Sequence, residues 1–396
     1  MAGCPAICVA ALEGDMTQPT VSIIVPTFNR AHYLPECLDS LVGQTVPPLE
    51  IIVVDDGSED ATREVVARYG APVRYIYKDN EGKSTAVNLA LSECRGDLIW
   101  LFDDDDVALP DAIEHRLGVL AKDPQAGFVY SAHYLGSGGP ESEIVRGKVY
   151  APPQPEPEAF FVEIMKSCFF HLNSALVRRE CYTHIGGFDP SLLNGQDYDV
   201  QIRLARFARP VYSKYATFIF RQHQGMRGAR SIRYQATGRN TMFRRFSGEL
   251  GRKLRRDVLI GEYLIPHGTG KLTPSQCCLA LINRMQVMAN HGCIPEMFED
   301  IHGLLETIEI SSPIGTKEWG QVSLAICCGY GYDACNENWT DFLALTRRLR
   351  KHTNGPAAIR ALARGFFRLA KSYPGDMSSR LKKIFQAARV ASLSFM

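Results

Sequence analysis

The sequence predicts an α/β fold, built as a mostly parallel sheet flanked by helices, with a helical C-terminal region after it. Two observations point to this class. Short strand-like runs alternate with helix-like stretches early in the chain. The runs at 21–26 and 50–54 are rich in β-branched residues, and further strands are predicted at 73–77 and 97–102. Strands that alternate with helices favour a parallel sheet covered on both faces. After about residue 225, strand-like runs disappear and only helical patterns remain.

Helices are expected between the strands and throughout the C-terminal region. In the α/β part they are predicted at 33–42, 60–69, 84–94, from Leu109 onward and at 200–207. In the C-terminal part they are predicted at 239–250, 274–290, 294–309, 339–350 and 356–371. The Gly- and Pro-rich stretch 135–158 predicts a flexible flap with room for one edge strand. The expected organisation is a ragged leader at 1–19, an α/β domain at 20–230 and a helical region at 231–396.

Composition and charge exclude several classes of protein. The 396 residues carry a formal net charge of +1, but residues 347–396 hold twelve Lys or Arg against the single acid Asp376. The remaining acidic body argues against nucleic-acid binding and leaves anionic partners to the basic tail. No apolar run reaches the roughly 18 residues that a membrane-spanning helix needs. The twelve cysteines are scattered, without a C-x-x-C pair, and predict reduced thiols in a cytosolic protein.

Polar residues follow three of the predicted strands at the points where those strands end. They are Thr27–Arg30, Asp55–Ser58 and Asp103–Asp106. In parallel α/β sheets the carboxyl ends of the strands lie along one edge, and ligands bind there. The sequence therefore predicts one polar crevice built from three strand ends. For Asp55–Ser58 a plain turn that starts a helix is an equal alternative.

Four consecutive aspartates, Asp103–Asp106, follow the apolar run LIWLF. Like charges this close repel and raise one another's pKa, so a cation is expected to neutralise them. Carboxylate oxygens suit Mg²⁺ or Mn²⁺, which bind one or two carboxylates and bridge to substrate phosphates. The alternative is a solvated acidic loop in which Asp106 or Asp111 caps the next helix. Four acids at the end of a buried strand favour the metal site.

Two further clusters offer catalytic groups. Asp197 and Asp199 precede the helix-like run 200–207, where a carboxylate is placed to act as a general base or, alternatively, as a helix N-cap. The spacing does not choose between these two acids. Arg221 and His223 offer a cation and an imidazole that suit a diphosphate or a metal. An ordinary surface pair is the alternative for these two residues.

Six segments, in their order and spacing, resemble family 2 glycosyltransferases of the GT-A fold. They are VSIIVPTFNR, EIIVVDDGS, NEGKSTAVNLAL, LIWLFDDDDVALPDAI, GGFDPSL and GQDYDVQIRL. The resemblance covers residues 20–225. It implies that 20–230 forms a GT-A catalytic domain, with a Rossmann-like sheet, that uses a nucleotide-sugar.

The resemblance also implies roles for individual residues. Pro26, Thr27 and Asp56 would contact the nucleobase and ribose. The other expected contacts to the nucleotide-sugar are Asn29, Arg30, Lys83, Asn88, Asp103, Asp104 and Arg221. Asp105 would bind the metal together with Asp103 and His223. Asp197 would be the general base, because the family's acidic pair falls on Gln196–Asp197, where Gln196 replaces a common Glu.

The implied reaction moves a sugar, with inversion, from a nucleotide-sugar, usually UDP-linked, to a hydroxyl of a glycan or lipid-linked glycan, with Mn²⁺ or Mg²⁺ as cofactor. A nucleotidyltransferase is one alternative. It would normally carry a Gly-rich basic phosphate loop after the first strand, where this chain has PTFNR. An inactive glycan-binding or scaffolding relative is the other alternative, but the chain keeps both the metal aspartates and the base.

The basic C-terminal tail carries a separate prediction. Segments 359–369 and 380–390 place Arg and Lys between apolar residues at helical spacing. Such helices bind to anionic membranes from one side. The alternatives are a solvated basic face on a packed helix and one side of a dimer contact. The expected location is cytoplasmic, with peripheral contact at the inner face of the membrane if the tail binds lipid.

Overall fold

The chain divides into two compact units. A computed structural model describes residues 18–139, 144–192, 194–222, 239–310, 314–325, 330–372 and 377–395. The first unit holds the described residues up to Phe160 together with Cys168–Arg239. The second unit holds Phe161–Ser167 and the described residues from Asn240 onward.

The first unit is built on one sheet. Its strands are β1 (Val21–Thr27), β2 (Glu50–Asp56), β3 (Val73–Lys78), β4 (Leu98–Leu101), β5 (Val107–Ala108), β6 (Phe128–Ser137), β7 (Val145–Tyr150), β8 (Leu176–Arg178) and β9 (Pro210–Gln222). They lie in the order β3-β2-β1-β4-β8-β6-β9-β5, and β7 pairs with β6. The predicted α/β class is confirmed.

One half of the sheet is parallel and buried. β1 pairs in parallel with both β2 and β4, and β2 pairs in parallel with β3. Every residue of β1, β2 and β4 is buried, as expected for β-branched runs covered on both faces. The helices of this half are α1 (Leu34–Val42), α2 (Thr62–Val66), α3 (Lys83–Glu93) and α4 (Ala112–Leu120). Leu34, Leu38 and Leu41 of α1 belong to the same core as the strands.

The other half of the sheet is mixed. β8 is antiparallel to β4 and β6, whereas β6 and β9 are parallel. β7 is an exposed edge strand antiparallel to β6, so the edge strand predicted within 135–158 is confirmed. The helices here are α5 (Pro157–Lys166), which continues into the second unit, α6 (Arg179–Ile185) and α7 (Gln196–Phe207).

Several predicted helices have different bounds in the structure, and local contacts explain two of these differences. α2 ends at Val66, although its helical pattern extends to Tyr69. The Tyr69 hydroxyl instead donates to Asp39 at 2.8 Å, which ties the chain to α1. α7 begins at Gln196 rather than at residue 200. Gly195, with φ of +75°, is its N-cap, and the left-handed conformation of this glycine lets the helix start early.

The described elements of the second unit are helical, which confirms the predicted change of character. They are α8 (Arg239–Asp257), α9 (Pro274–Asn290), α10 (Ile294–Ile310), α11 (Thr316–Leu324), α12 (Gly331–Glu337), α13 (Trp339–Arg348), α14 (Gly355–Ser372) and α15 (Met377–Ser392), with short 3₁₀ turns. Thr273 caps α9 by accepting a hydrogen bond from the Gln276 amide. None of the helices in the described ranges has the length and apolarity needed to cross a bilayer.

Candidate active site

Three strand ends meet at one edge of the sheet, as the sequence predicts. β1 lies between β2 and β4, and Thr27 is in register with Asp55 of β2. Asp103–Asp106 continue directly from β4, where the Phe102 amide still donates to the Ile24 carbonyl at 2.9 Å. Pro26 and Thr27 are buried at the end of β1. The polar segments after β1, β2 and β4 therefore lie together at this edge, where the sequence predicts one crevice.

The aspartate cluster is not a solvated loop. Asp104 and Asp106 are buried. Burial raises the pKa of Asp104 to about 7, since the lowering effect of Arg30 is offset by Asp105 and Asp103. Burial, with Asp105 and Asp103, also raises the pKa of Asp106 well above its ordinary value. A bound cation stabilises the ionised form of carboxylates whose pKa is raised in this way, so the cluster favours cation binding.

The helix-capping alternative for these acids is also wrong. Asp111 is the residue before α4, but its side chain makes no capping hydrogen bond. Asp106 instead accepts hydrogen bonds from the Arg221 amide at 2.8 Å and from the Asn173 side chain at 2.5 Å. These two bonds anchor the end of the aspartate segment to β9 and to the 3₁₀ turn Leu172–Ser174.

Arg221 is buried beneath the cluster, so the surface-pair alternative is wrong for it. Its side chain is 1% exposed and forms an ion pair with Glu36 of α1. Its Nε donates to the Asp105 carbonyl at 2.8 Å, and its Nη1 donates to the Gly139 carbonyl at 3.3 Å. These contacts give Arg221 a supporting position. Its contact with a diphosphate stays a prediction, and His223 lies outside the described residues.

Arg30 covers the aspartates from the loop after β1. Its Nη1 pairs with Asp105 and lies 3.5 Å from Asp104. Burial alone would lower the pKa of Arg30, but the neighbouring acids outweigh burial and raise it. Asn29 adopts a positive φ of 54° and joins two loops: its amide donates to the Ser58 hydroxyl at 2.8 Å, and its side chain accepts from the Glu59 amide at 2.8 Å.

Lys83 links the aspartate cluster to a helix that lies far away in the sequence. Its ammonium is 2.9 Å from Asp103 and 3.2 Å from Asp197. Burial would lower the pKa of Lys83, but Asp103 and Asp197 outweigh burial and raise it. Asp197, the candidate base, and Asp103, in the candidate donor site, therefore pair with the same ammonium group.

The structure separates the two acids that spacing alone does not distinguish. Both lie in the first turn of α7, not ahead of it, and neither is its N-cap. Asp199 is buried and pairs with Arg203 at 2.6 Å. Asp197 faces Lys83, its side chain is 42% exposed, and its Oδ1 has no hydrogen-bond partner among the described residues. Asp197 is therefore the better candidate for a base.

Two residues expected to contact the donor are held by backbone groups. Asp56 accepts hydrogen bonds from the Glu81 and Gly82 amides at 3.1 and 2.9 Å and pairs with Lys78 at 3.0 Å. The Asn88 amide group exchanges two hydrogen bonds with the backbone of Phe188, at 2.8 and 2.7 Å. Both side chains fix loops that border the crevice. Their contacts with the nucleotide-sugar stay predictions.

The aspartate cluster has the chemistry for a hard cation. Its ligand atoms are oxygens, and a divalent cation would stabilise the ionised form of acids such as Asp104, whose pKa is raised chiefly by burial and also by Asp105. Within the described ranges, no three His, Cys, Asp or Glu side chains form a preformed metal cage. The residues fit Mn²⁺ or Mg²⁺ in the mode that uses one or two carboxylates and completes the coordination with substrate phosphates.

Two supporting residues are absent from the sequence predictions. Glu36 pairs with Arg221 over a separation of 185 residues, and Asn173 bonds to Asp106 over a separation of 67 residues. The Asn173 carbonyl also accepts from the Trp100 indole at 2.7 Å. No local pattern marks either residue, because each acts on a partner that only the fold brings close.

Known proteins resemble this chain over the same region. The family model Glycosyl transferase family 2 matches residues 22–186. An uncharacterized glycosyltransferase of Rickettsia felis is 27% identical over 359 residues, which cover 87% of this chain and 58% of that protein. The chondroitin synthase of Escherichia coli is 30% identical over 190 residues, which cover 47% of this chain and 26% of that protein. The mannosyltransferase PcManGT from Pyrobaculum calidifontis, solved in complex with GDP-Man and Mn²⁺, is 18% identical, with a TM-score of 0.48 over 96% of this chain and 87% of that one.

The α/β sheet with acids at the end of a buried strand agrees with the fold class that the sequence predicts. Residues 22–186 match the model of glycosyl transferase family 2. This match confirms the predicted resemblance to the family over that segment. The chain spans 58% of the length of the Rickettsia felis relative and 26% of the Escherichia coli synthase.

Proposed function

We propose that the first unit transfers a hexosyl group from a nucleotide-sugar, with UDP as the expected nucleotide, to a hydroxyl of a glycan or lipid-linked glycan. The observation that carries the proposal is the Lys83 bridge. It brings Asp197 to the same cation as Asp103, at 3.2 and 2.9 Å. A donor bound at the aspartates would then present its anomeric carbon to an acceptor activated at Asp197.

The crevice offers a place for each part of the donor. The nucleobase and ribose are assigned to the ends of β1 and β2, near Thr27 and Asp56, and Asp104 is assigned to the ribose side. An entering diphosphate would compete for the cations Arg30 and Lys83, which the acids hold in the structure. Such charge-assisted hydrogen bonds are strong in a site that excludes water.

A divalent cation, Mn²⁺ or Mg²⁺, would be held by Asp105 and Asp103, with His223 as a further proposed ligand. When bound, it would supply positive charge that stabilises the departing diphosphate. Asp104 and Asp106 are buried behind these ligands, where Asp106 is fixed by Arg221 and Asn173. This anchoring would keep the ligand carboxylates in place during the reaction.

Asp197 is proposed as the general base. Its carboxylate would accept the proton of the acceptor hydroxyl as the acceptor oxygen bonds to the anomeric carbon. The bond from that carbon to the diphosphate oxygen breaks on the opposite face, its electron pair leaves with the phosphate, and the configuration inverts. The 42% exposure of the Asp197 side chain supports this role, because an acceptor hydroxyl must reach the carboxylate from solvent. The similarity to a chondroitin synthase supports a glycan acceptor.

The test is a panel of UDP-, GDP- and dTDP-sugars incubated with the full chain in Mn²⁺, in Mg²⁺ and in EDTA. We expect release of a nucleoside diphosphate from one donor, loss of release in EDTA, and recovery on adding metal. Asp105→Asn should remove release, whereas Glu64→Gln, an exposed acid on α2, should not.

Three results would contradict the proposal: the first two would indicate a different class of protein, and the third would remove the metal. Release of pyrophosphate would indicate a nucleotidyltransferase. Binding of a glycan without release from any donor would indicate an inactive relative. Release that is indifferent to EDTA and to Asp105→Asn would remove the metal from the aspartate cluster.

A further inference from the structure

The last helix of the second unit, α15, has an inner face that is firmly fixed. Lys383, Gln386 and Val390 are buried on this face. The Gln386 side chain donates to Asn336 and accepts from the Tyr332 hydroxyl, both at 3.2 Å. The Lys383 ammonium lies 4.7 Å from the centre of the Tyr332 ring. These contacts with α12 fix which side of α15 is buried. They therefore also fix which of its side chains face outward.

The outward face of α15 is apolar. Phe385 is 73% exposed, Leu381 is 46% exposed and Ile384 is 42% exposed. Phe395, which follows the helix, is 83% exposed. Leu381, Phe385 and Ala388 follow helical spacing, are exposed, and form one apolar stripe on the side of α15 opposite the buried one. Exposed apolar side chains grouped in this way mark a surface that binds something.

Basic residues border the apolar stripe on both sides. On a helical wheel Lys382 and Arg389 flank one edge of the stripe and Arg380 flanks the other, and all three are exposed. Residues 347–396 contain twelve Lys or Arg and one acid. A partner that covers the stripe must therefore tolerate or neutralise a dense positive charge. An apolar surface rimmed with negative charge has the complementary character.

The neighbouring basic helix, α14, shows a different pattern. Its apolar face, with Ile359, Leu362 and Phe366, is fully buried. Its exposed face carries Arg360 and Arg364, with Phe367 as its exposed large apolar residue. The solvated basic face that was the alternative for the tail therefore describes α14, and α15 is the helix with an uncovered apolar stripe.

We propose that the outward face of α15 binds to the surface of an anionic lipid bilayer. Leu381, Phe385 and Phe395 would enter the boundary between headgroups and acyl chains, and Lys382 and Arg389 would contact the anionic headgroups. The helix would lie in the interface without crossing it. This binding does not depend on the glycosyl transfer proposed above, and a chain without transferase activity would show it equally.

The test is co-sedimentation of the full chain with vesicles of phosphatidylcholine that contain about 30% phosphatidylglycerol, compared with pure phosphatidylcholine. We expect binding to the anionic vesicles that is at least about tenfold tighter, and that weakens steeply in about 0.5 M NaCl. Leu381→Gln/Phe385→Gln should weaken it at least about tenfold, since two apolar side chains leave the interface. Leu279→Gln/Leu324→Gln, which changes two side chains of 39% exposure elsewhere in the second unit, should leave it unchanged.

Equal binding by Leu381→Gln/Phe385→Gln and the natural chain would overturn the proposal. So would the absence of binding to anionic vesicles. Size-exclusion chromatography without lipid gives the third outcome. If the natural chain is a dimer there, and Leu381→Gln/Phe385→Gln makes it a monomer without affecting vesicle binding, the stripe is a contact between copies of the chain and the membrane proposal fails.

Discussion

At the scale of residues, the candidate site is a set of acids neutralised by two cations from different loops. Arg30 covers Asp104 and Asp105, and Lys83 joins Asp103 to Asp197. The positions of the acids could be predicted, because strand ends in a parallel sheet share an edge. The pairing could not, since Lys83 and Asp197 are 114 residues apart and only the fold brings them together.

Lys83→Met should raise the KM for the donor and lower turnover, with kcat/KM reduced at least about tenfold. The variant removes a cation that a diphosphate would use, and it leaves Asp103 and Asp197 without their common partner. Steady-state kinetics with the donor that the panel identifies would measure both parameters. Lys83→Arg should restore part of the activity, because it keeps the charge.

Lys214→Met is the matched control, because Lys214 is an exposed lysine of β9 in the same unit. Its kinetics should equal those of the natural chain. Unchanged donor KM and turnover in Lys83→Met would show that Lys83 only holds the resting structure. Circular dichroism would confirm that the variants are folded before their kinetics are compared.

At the scale of elements, the sequence predicts the parallel half of the sheet much better than the mixed half. β1, β2 and β4 are marked by apolar runs, because both of their faces are covered. β6 and β9 lack such runs, and their pairing is interrupted by register shifts near Ala132. The first residue of a helix is also hard to predict when a backbone conformation determines it. Gly195 before α7 is an example.

A buried acid fixes the start of β2. Glu50 is 1% exposed and accepts hydrogen bonds from the Ser22 hydroxyl at 2.7 Å, from the Arg95 amide at 2.8 Å and from Arg74 at 2.7 Å. Burial would raise the pKa of Glu50, but these hydrogen bonds outweigh burial and lower it to about 2. Ionised Glu50 therefore stabilises the folded chain.

Glu50→Gln should lower the free energy of unfolding by about 2 kcal/mol near pH 7, measured by urea denaturation. A carboxyl whose pKa is lower in the folded than in the unfolded chain stabilises the fold fully above its unfolded pKa. For Glu50 the unfolded pKa is about 4.5, so its contribution to the free energy of unfolding is lost as the pH falls from there towards about 2. The difference between variant and natural chain should therefore shrink below pH 4.5.

Glu93→Gln is the matched control, because Glu93 contacts the same Arg74 at 3.4 Å but is 49% exposed. Its effect should stay below about 0.5 kcal/mol. Equal effects of the two substitutions would show that burial gives Glu50 no special role. A difference that is constant from pH 7 to pH 3 would contradict the depressed pKa.

At the scale of the whole molecule, the acidic site residues and the excess of basic residues lie in different parts of the chain. The acids that define the site lie in the first unit, whereas residues 347–396 carry the excess of bases. The sequence shows this division directly, because composition does not depend on the fold. It does not show which basic helix is covered, and that distinction between α14 and α15 comes from the burial of individual side chains.

In the proposed mechanism, Asp197 activates an acceptor beside a donor held at Asp103–Asp106. The most direct measurement compares Asp197→Asn with the natural chain for sugar transfer and, separately, for donor affinity by calorimetry. We predict that transfer falls by at least about 10²-fold while the Kd for the donor changes less than about threefold. Glu64→Gln should change neither quantity. Near-normal transfer by Asp197→Asn would contradict the account.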